Sequence, residues 1–271
     1  NPYDSARIRK RRFWTASQAN FYSSVLFNKD KVFDHEHIPH VDMESLPCFE
    51  PVLSVLHDAG LLNFCTDICD WNEELILQFY ATLHITGNSE DVNSWVLDWM
   101  SENTHYKAPA TELLRALPLS PPLDGARCVY SEPELSNHFM QMLMKPLKPG
   151  QAPRTKFLLK ELLYVPRTVY RILTKTMSSI KGHDSNEEVV GIMKNMLFNI
   201  IHGVPANFHD FFMRTLANIA MSPFEVKPYA PWIMRFIRTR ASLNYKADTL
   251  NHGSYLPPIK VLKQTYSSAD N

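Results

Sequence analysis

From residue 46 onward the chain alternates between apolar stretches of helical period and short polar or proline-bearing breaks. "FEPVLSVLHDAG" sets Val52, Leu53, Val55 and Leu56 on one helical face before Gly60, a residue that commonly stops a helix. "DWNEELILQFYATL" opens with Asp70 and carries Glu73 three positions on, the spacing of a capping box, and predicts a helix over 72–81. The period then changes. "TLHIT" and "SWVLDWM" flank the polar "GNSEDVN", and Trp95, Leu97 and Trp99 alternate as one strand face would. A β-hairpin over 82–100 is the expectation, although Val92, Trp95, Val96 and Trp99 also fit a helical face.

Helical patterns resume at 108–117 and again after Ser131, Pro133 and Glu134, which suit a helix start. A proline-rich connector spans 145–154. Helices over 156–165 and 167–178 are expected beyond it, separated at Pro166. Asp184 and Glu187 are placed to cap "NEEVVGIMKNMLFNIIHG", which should stop at Gly203. "ANFHDFFMRTLANIAM" and "APWIMRFIRTR" complete a mainly α, multi-helix globular domain with a small hairpin. Residues 1–45 read as a basic arm and irregular lead-in, 46–240 as the helical core, and 241–271 as a tail. Within the core, 46–144 forms an acidic lobe and 150–240 a basic one. No period of the kind that builds a solenoid recurs.

The formal charge of zero hides that division. Residues 13–144 hold 5 Lys or Arg against 19 Asp or Glu, whereas 145–271 hold 18 against 8. Such asymmetry fits either mutual neutralisation of the two halves or a polyanionic partner. Hydrophobic content of 45% places the chain among globular proteins, and no apolar run is long enough to span a bilayer. Four cysteines in 271 residues read as reduced thiols, so an intracellular setting, nucleus or cytoplasm, is expected, with no membrane association.

The candidate chemistry is sparse. His35, His37 and His40 cluster beside Glu36, but Pro39 interrupts them and no zinc-helix spacing is present. Cys65 and Cys69, four apart and near His57 and His84, are weak metal candidates without a second cysteine pair. Cys128 has no thiol-protease signature around it, and nucleophile-elbow, P-loop and dinucleotide-binding glycine motifs are absent. No cofactor and no catalytic residue are assigned. The cations are more suggestive. Arg7, Arg9, Lys10, Arg11 and Arg12 precede Phe13 and Trp14, while Arg167, Arg171 and Lys175 recur every four residues. With Lys156, Lys160, Arg235, Arg238 and Arg240 they form the candidate nucleic-acid-binding set. The 167–175 stripe itself reads first as a face turned toward acidic residues of the first half, or a solvated face, and second as a grip on phosphate.

"LLYVPRTVYRILTKTM", "MLFNIIHGVPANFHDFFMRTL" and "YAPWIMRFI", in that order, resemble a plant transposon protein family, a retroelement-associated domain common in cereals. "FEPVLSVLHDAGLLNF" and "ILQFYATLHI" are similar to its N-terminal portion. The resemblance covers roughly residues 46–240 and implies plant origin and mobile-element ancestry, with no catalytic residues to carry over. The protease D-[ST]-G, the retroviral zinc knuckle and the polymerase Y-x-D-D are all missing from the sequence. The expected function is therefore a non-catalytic interaction or scaffold module, Gag-like and self-associating or binding a protein partner. Nucleic-acid binding is the alternative, and a metal-dependent transposase or nuclease the third reading.

Overall fold

The computed structural model describes residues 12–26, 32, 36–131, 136–152, 154, 156–177, 188–189, 191–220, 222, 226–241 and 250–258. In chain order the helices are α1 (Ala16–Phe21), α2 (His40–Glu44), α3 (Glu50–Asp58), α4 (Leu62–Thr66) and α5 (Glu73–Thr82). They continue with α6 (Ala110–Ala116), α7 (Asn137–Gln141), α8 (Tyr164–Thr176), α9 (Ile192–His202), α10 (Phe208–Ala220) and α11 (Ala230–Arg240). The largest sheet is antiparallel and has three strands, β1 (His84–Thr86), β2 (Val96–Ser101) and β3 (Thr104–Pro109). The fold is mainly α.

Two compact units are built from separated stretches. Unit 1 takes Asn1–His35, Ile68–Pro118 and Phe212–Ser254, and unit 2 takes Glu36–Asp67, Leu119–Phe211 and Tyr255–Asn271. This differs from the sequential lobes that composition suggested, because each unit draws on both the acid-rich and the base-rich parts of the chain. Chain closure shows why: Trp71 and Asn72 pair antiparallel with Asn251 and Leu250, which ties the middle of unit 1 to its far end.

In unit 1 the expected hairpin is present, with Ile85 opposite Leu97 and Thr86 opposite Val96. It is extended by β3, where Trp99 faces Tyr106 and Ser101 faces Thr104. Leu97 and Trp99 are fully buried, as their alternation required. Rings of Phe79, Tyr106 and Phe236 lie 5.9, 5.6 and 5.0 Å from Trp99, so α5, the sheet and α11 share one aromatic core. Helix α5 begins close to expectation, but Asn72 caps it, accepting from the Leu75 N–H at 3.0 Å. Asp70 instead sits 2.9 Å from His252.

The turn after β2 puts Glu102 at φ 53°, a region costly for a side chain with a Cβ. Fully buried Gln78 holds it there. Its amide oxygen accepts from Glu102 N–H at 2.9 Å, and its nitrogen donates to Glu102 O at 2.8 Å and Arg12 O at 3.0 Å. One side chain thus joins α5, the β2–β3 turn and the lead-in to α1.

In unit 2 helix α8 is central, with α3, α4 and α9 packed on it. The expected helix over 156–165 does not form. Residues Leu159–Glu161 make a single tight turn, and α8 already starts at Tyr164 with Pro166 inside its first turn. A first-turn residue has no intrahelical partner for its N–H, so proline is tolerated there rather than breaking the helix. Upstream, Lys145 N–H donates to Glu161 O and Leu163 N–H to Leu143 O, so 143–145 and 161–163 pair in extended form. Helix α9 begins at Ile192, later than expected, because Glu188 bridges Leu158 and Val189 N–H bonds Phe157 O at 2.8 Å. It stops at Gly203 as expected, with φ 64°. Helix α7 begins at Asn137; residues 132–135, 184 and 187, expected to start or cap helices, lie outside the described residues.

His37, also in unit 2, is fully buried, and burial pushes its pKa down to about 4 against a smaller upward pull from Asp67. The folded chain therefore holds it neutral at neutral pH.

Replacing Gln78 with Ala should cost about 2–4 kcal/mol in urea unfolding, since several backbone groups lose their partner together. For His37, the unfolded chain takes up a proton below about pH 6.5 while the folded chain resists until about pH 4. Stability is thus unaffected above that window and should fall by up to about 3 kcal/mol as the pH drops through it. A His37→Gln variant should show a shallower loss across the same window when denaturation midpoints are compared.

Candidate functional site

The four-residue spacing of Arg167, Arg171 and Lys175 does place them along α8, which belongs to unit 2. They do not form a wet face. Arg167 and Arg171 are only 4% and 6% exposed, and Lys175 Nζ lies 2.7 Å from Glu36 Oε2. Glu36 comes from the acid-rich part of the chain, so one member of the stripe meets a counter-charge of the kind anticipated. Burial draws the Arg167 guanidinium below its usual pKa, with Tyr164 opposing. Nearby, Arg154 bonds Lys145 O at 2.7 Å and approaches Glu161 at 3.5 Å. The ammonium of Lys145 is pulled below its usual range, mainly by burial and then by the charge of Arg167.

The remaining cations of the candidate set divide between the units. In unit 1 Arg12 pairs with Glu74 at 2.6 Å and lies over the Tyr22 ring at 5.5 Å. Arg235 donates to Cys69 Sγ at 3.0 Å, Arg240 pairs with Glu112, and Arg238 is exposed in the last turn of α11. In unit 2 Lys156 is exposed and stands 3.8 Å from Glu188, while Lys160 is half-buried. Arg7, Arg9, Lys10 and Arg11 lie outside the described residues.

The weak metal candidates are divided between the units as well. Cys65 lies in unit 2, fully buried, 3.4 Å from the Thr176 hydroxyl, with burial pushing its thiol up to about 12. That thiol stays protonated at neutral pH, the opposite of what a metal thiolate needs. Cys69 lies in unit 1 against Arg235. Of the clustered histidines, His37 is buried, His40 pairs with Glu44 at 3.2 Å, and His35 lies outside the described residues. Among the described residues no group of three or more His, Cys, Asp or Glu could hold a metal ion. Nor is any described helix long and apolar enough to cross a membrane.

Two surface features of unit 2 were not anticipated from the sequence. The first is apolar. Phe139, in the middle of α7, and Met142, just beyond its end, are 44% and 53% exposed. The Phe139 ring meets Phe198 of α9 edge-on at 5.5 Å, and Phe198 lies 4.3 Å from the His202 ring. The second is a groove of about 250 Å³, at the C-terminal ends of α3 and α9. Each of these helices ends in a paired-bond glycine turn. Gly60 and Leu61 donate to His57 O and Leu56 O, and Gly203 and Val204 to Ile200 O and Asn199 O. Both glycines have positive φ, 71° and 64°, and a side chain at Gly60 would also meet Ser120 Cβ at 2.6 Å.

No family model, no curated protein and no solved structure matches this chain. Its functional reading therefore rests on its own surfaces.

Charge reversal separates the buried cations from the exposed ones. Arg171→Glu should lower stability by about 3–5 kcal/mol in chemical denaturation, because it leaves a buried site with the wrong charge. Lys156→Glu, on the exposed side of the same unit, should stay within about 0.5 kcal/mol of the parent.

Proposed function

We propose that the chain is a non-catalytic interaction module that associates with further copies of itself through the Phe139 surface of unit 2. The observation that carries this reading is the exposure of Phe139 and Met142, three residues apart, with the Phe139 ring set against Phe198. Aromatic and methionine side chains are enriched in protein interfaces, and leaving them in water forgoes the stabilisation that burial gives. Met142 also adapts its shape readily to a partner. Phe139 itself is anchored through the Phe198 and His202 ring row, since the latter two sit on α9, whose other residues are largely buried.

Mobile-element descent is part of the proposal and rests on the ordered segments that resemble the plant transposon family. A Gag-like scaffold of such an element would work by self-association, which gives that ancestry a physical counterpart. Nucleic-acid binding is not preferred, because Arg167 and Arg171 offer little surface to an outside phosphate and several other cations already face carboxylates.

Sedimentation equilibrium tests the reading. The parent chain should form dimers or larger species as its concentration rises. A Phe139→Glu, Met142→Glu double variant should remain monomeric, with a melting temperature lowered only by the loss of the half-exposed Phe139–Phe198 contact, about 0.5–1.5 kcal/mol. A parent chain that stays monomeric at every soluble concentration overturns self-association.

A further inference from the structure

The groove of unit 2 is separate in residues from the Phe139 surface, and its chemistry is more particular. Its walls include the apolar side chains of Pro121, Pro122, Leu123, Ile200 and Phe208. The polar part of its lining comprises Asp58, Ser120 and the glycine turns that finish α3 and α9. The backbone dipoles of a helix sum to about half a negative charge at its C-terminus. Two such ends open on one groove, and the Asp58 carboxylate adds a full charge beside them. No lysine or arginine is among the described residues that line it. His57 lies against Asp58, with its ring nitrogen 3.2 Å from the carboxylate, and both side chains are mostly in water.

We propose that this groove binds a small organic ammonium, its apolar body against the proline wall and its cationic head between the two helix ends and Asp58. An ammonium is the complement of this site on three counts. Its charge is opposite to that of the converging dipoles and the carboxylate. Its N–H groups can donate to the Ser120 hydroxyl and to the Asp58 carboxylate. The apolar walls then favour a carbon skeleton over a bare metal ion or free ammonia. The volume of about 250 Å³ suits one ring or a short aliphatic stem rather than a long chain. The site is also stiff where it matters, because each glycine turn is locked by two backbone hydrogen bonds. Little ordering is therefore needed on binding.

The test is an amide-proton NMR titration of the full chain with three probes of similar shape: phenethylammonium, 3-phenylpropionate and 3-phenyl-1-propanol. Phenethylammonium should give saturable shifts at Gly60, Ser120 and Gly203, and the carboxylate should bind at least about tenfold more weakly. Asp58→Asn should weaken the ammonium about fivefold and leave the alcohol unchanged. Because Asp58 is exposed, the variant is expected to keep its fold, which unchanged shifts elsewhere will confirm. The proposal is overturned if no probe saturates, if the carboxylate or the alcohol binds as well as the ammonium, or if Asp58→Asn has no effect. A monomeric chain that still binds phenethylammonium would overturn only the self-association reading.

Discussion

Short elements leave backbone groups inside each unit that no helix or sheet ladder pairs, and the fold depends on buried side chains that answer them. Gln78 does this for the β2–β3 turn. Lys227, fully buried, donates to Ile219 O and Ser222 O, both at 2.6 Å, at the end of α10, with the Phe21 and Tyr80 rings under 6 Å away. A cation at a helix C-terminus is favoured by the dipole as well as by its hydrogen bonds. Tyr80 donates to Pro228 O at 2.5 Å, and Arg214 reaches Ser89 O at 3.0 Å. The Gln78 and Tyr80 contacts join stretches far apart in sequence, which is how loops become part of a core instead of a surface.

The same constraint explains what could be read from the residues and what could not. Where a segment carried its own punctuation, the expectation held. The glycine stops at Gly60 and Gly203 lie where the helices end, and the alternation of Trp95, Leu97 and Trp99 signalled a strand. Where the outcome depended on a distant partner, local signals misled. Asp70 and Glu73 have capping-box spacing, yet Asn72 takes the cap while Asp70 meets His252. The 156–165 stretch has helical period, but pairing with 143–145 and with Glu188 and Val189 draws it into extended structure. No local rule assigns a helical pattern to a strand-like bridge when the bridging residue lies some thirty positions away.

Legibility of the surfaces follows a similar line. A groove formed by two helix ends requires both helices to be packed first, so its parts were visible as separate glycine stops without any hint that they converge. The Phe139 surface left an equally faint trace, because an exposed phenylalanine and a buried one look alike in a helical pattern. A stronger signal was the four-residue stripe of cations, but spacing alone could not choose between a face turned toward acidic residues, a solvated face and a grip on phosphate. Helix α8 buries its apolar face and its basic face together, leaving few of its residues in water. Amphipathic period identifies which residues share a face, but it does not say that the polar face is wet.

Burying that basic face has a consequence for the charge division along the chain. A guanidinium taken out of water is tolerable only with counter-charge or acceptors close by. Because both units combine stretches from the acid-rich and base-rich parts, such partners can be supplied within a unit. Lys175 meets Glu36 in unit 2, and Arg240 meets Glu112 in unit 1. Other pairs, such as Arg154 with Glu161 and Lys156 with Glu188, are formed inside the basic part itself. The interleaved chain path thus brings charges that are segregated in sequence into contact within each unit. A polyanion is then not required to account for the segregation, since internal pairing accounts for part of it. The groove adds to this charge a part that the sequence count never registers: beside the Asp58 carboxylate, its negative end draws on the backbone dipoles of two helix ends.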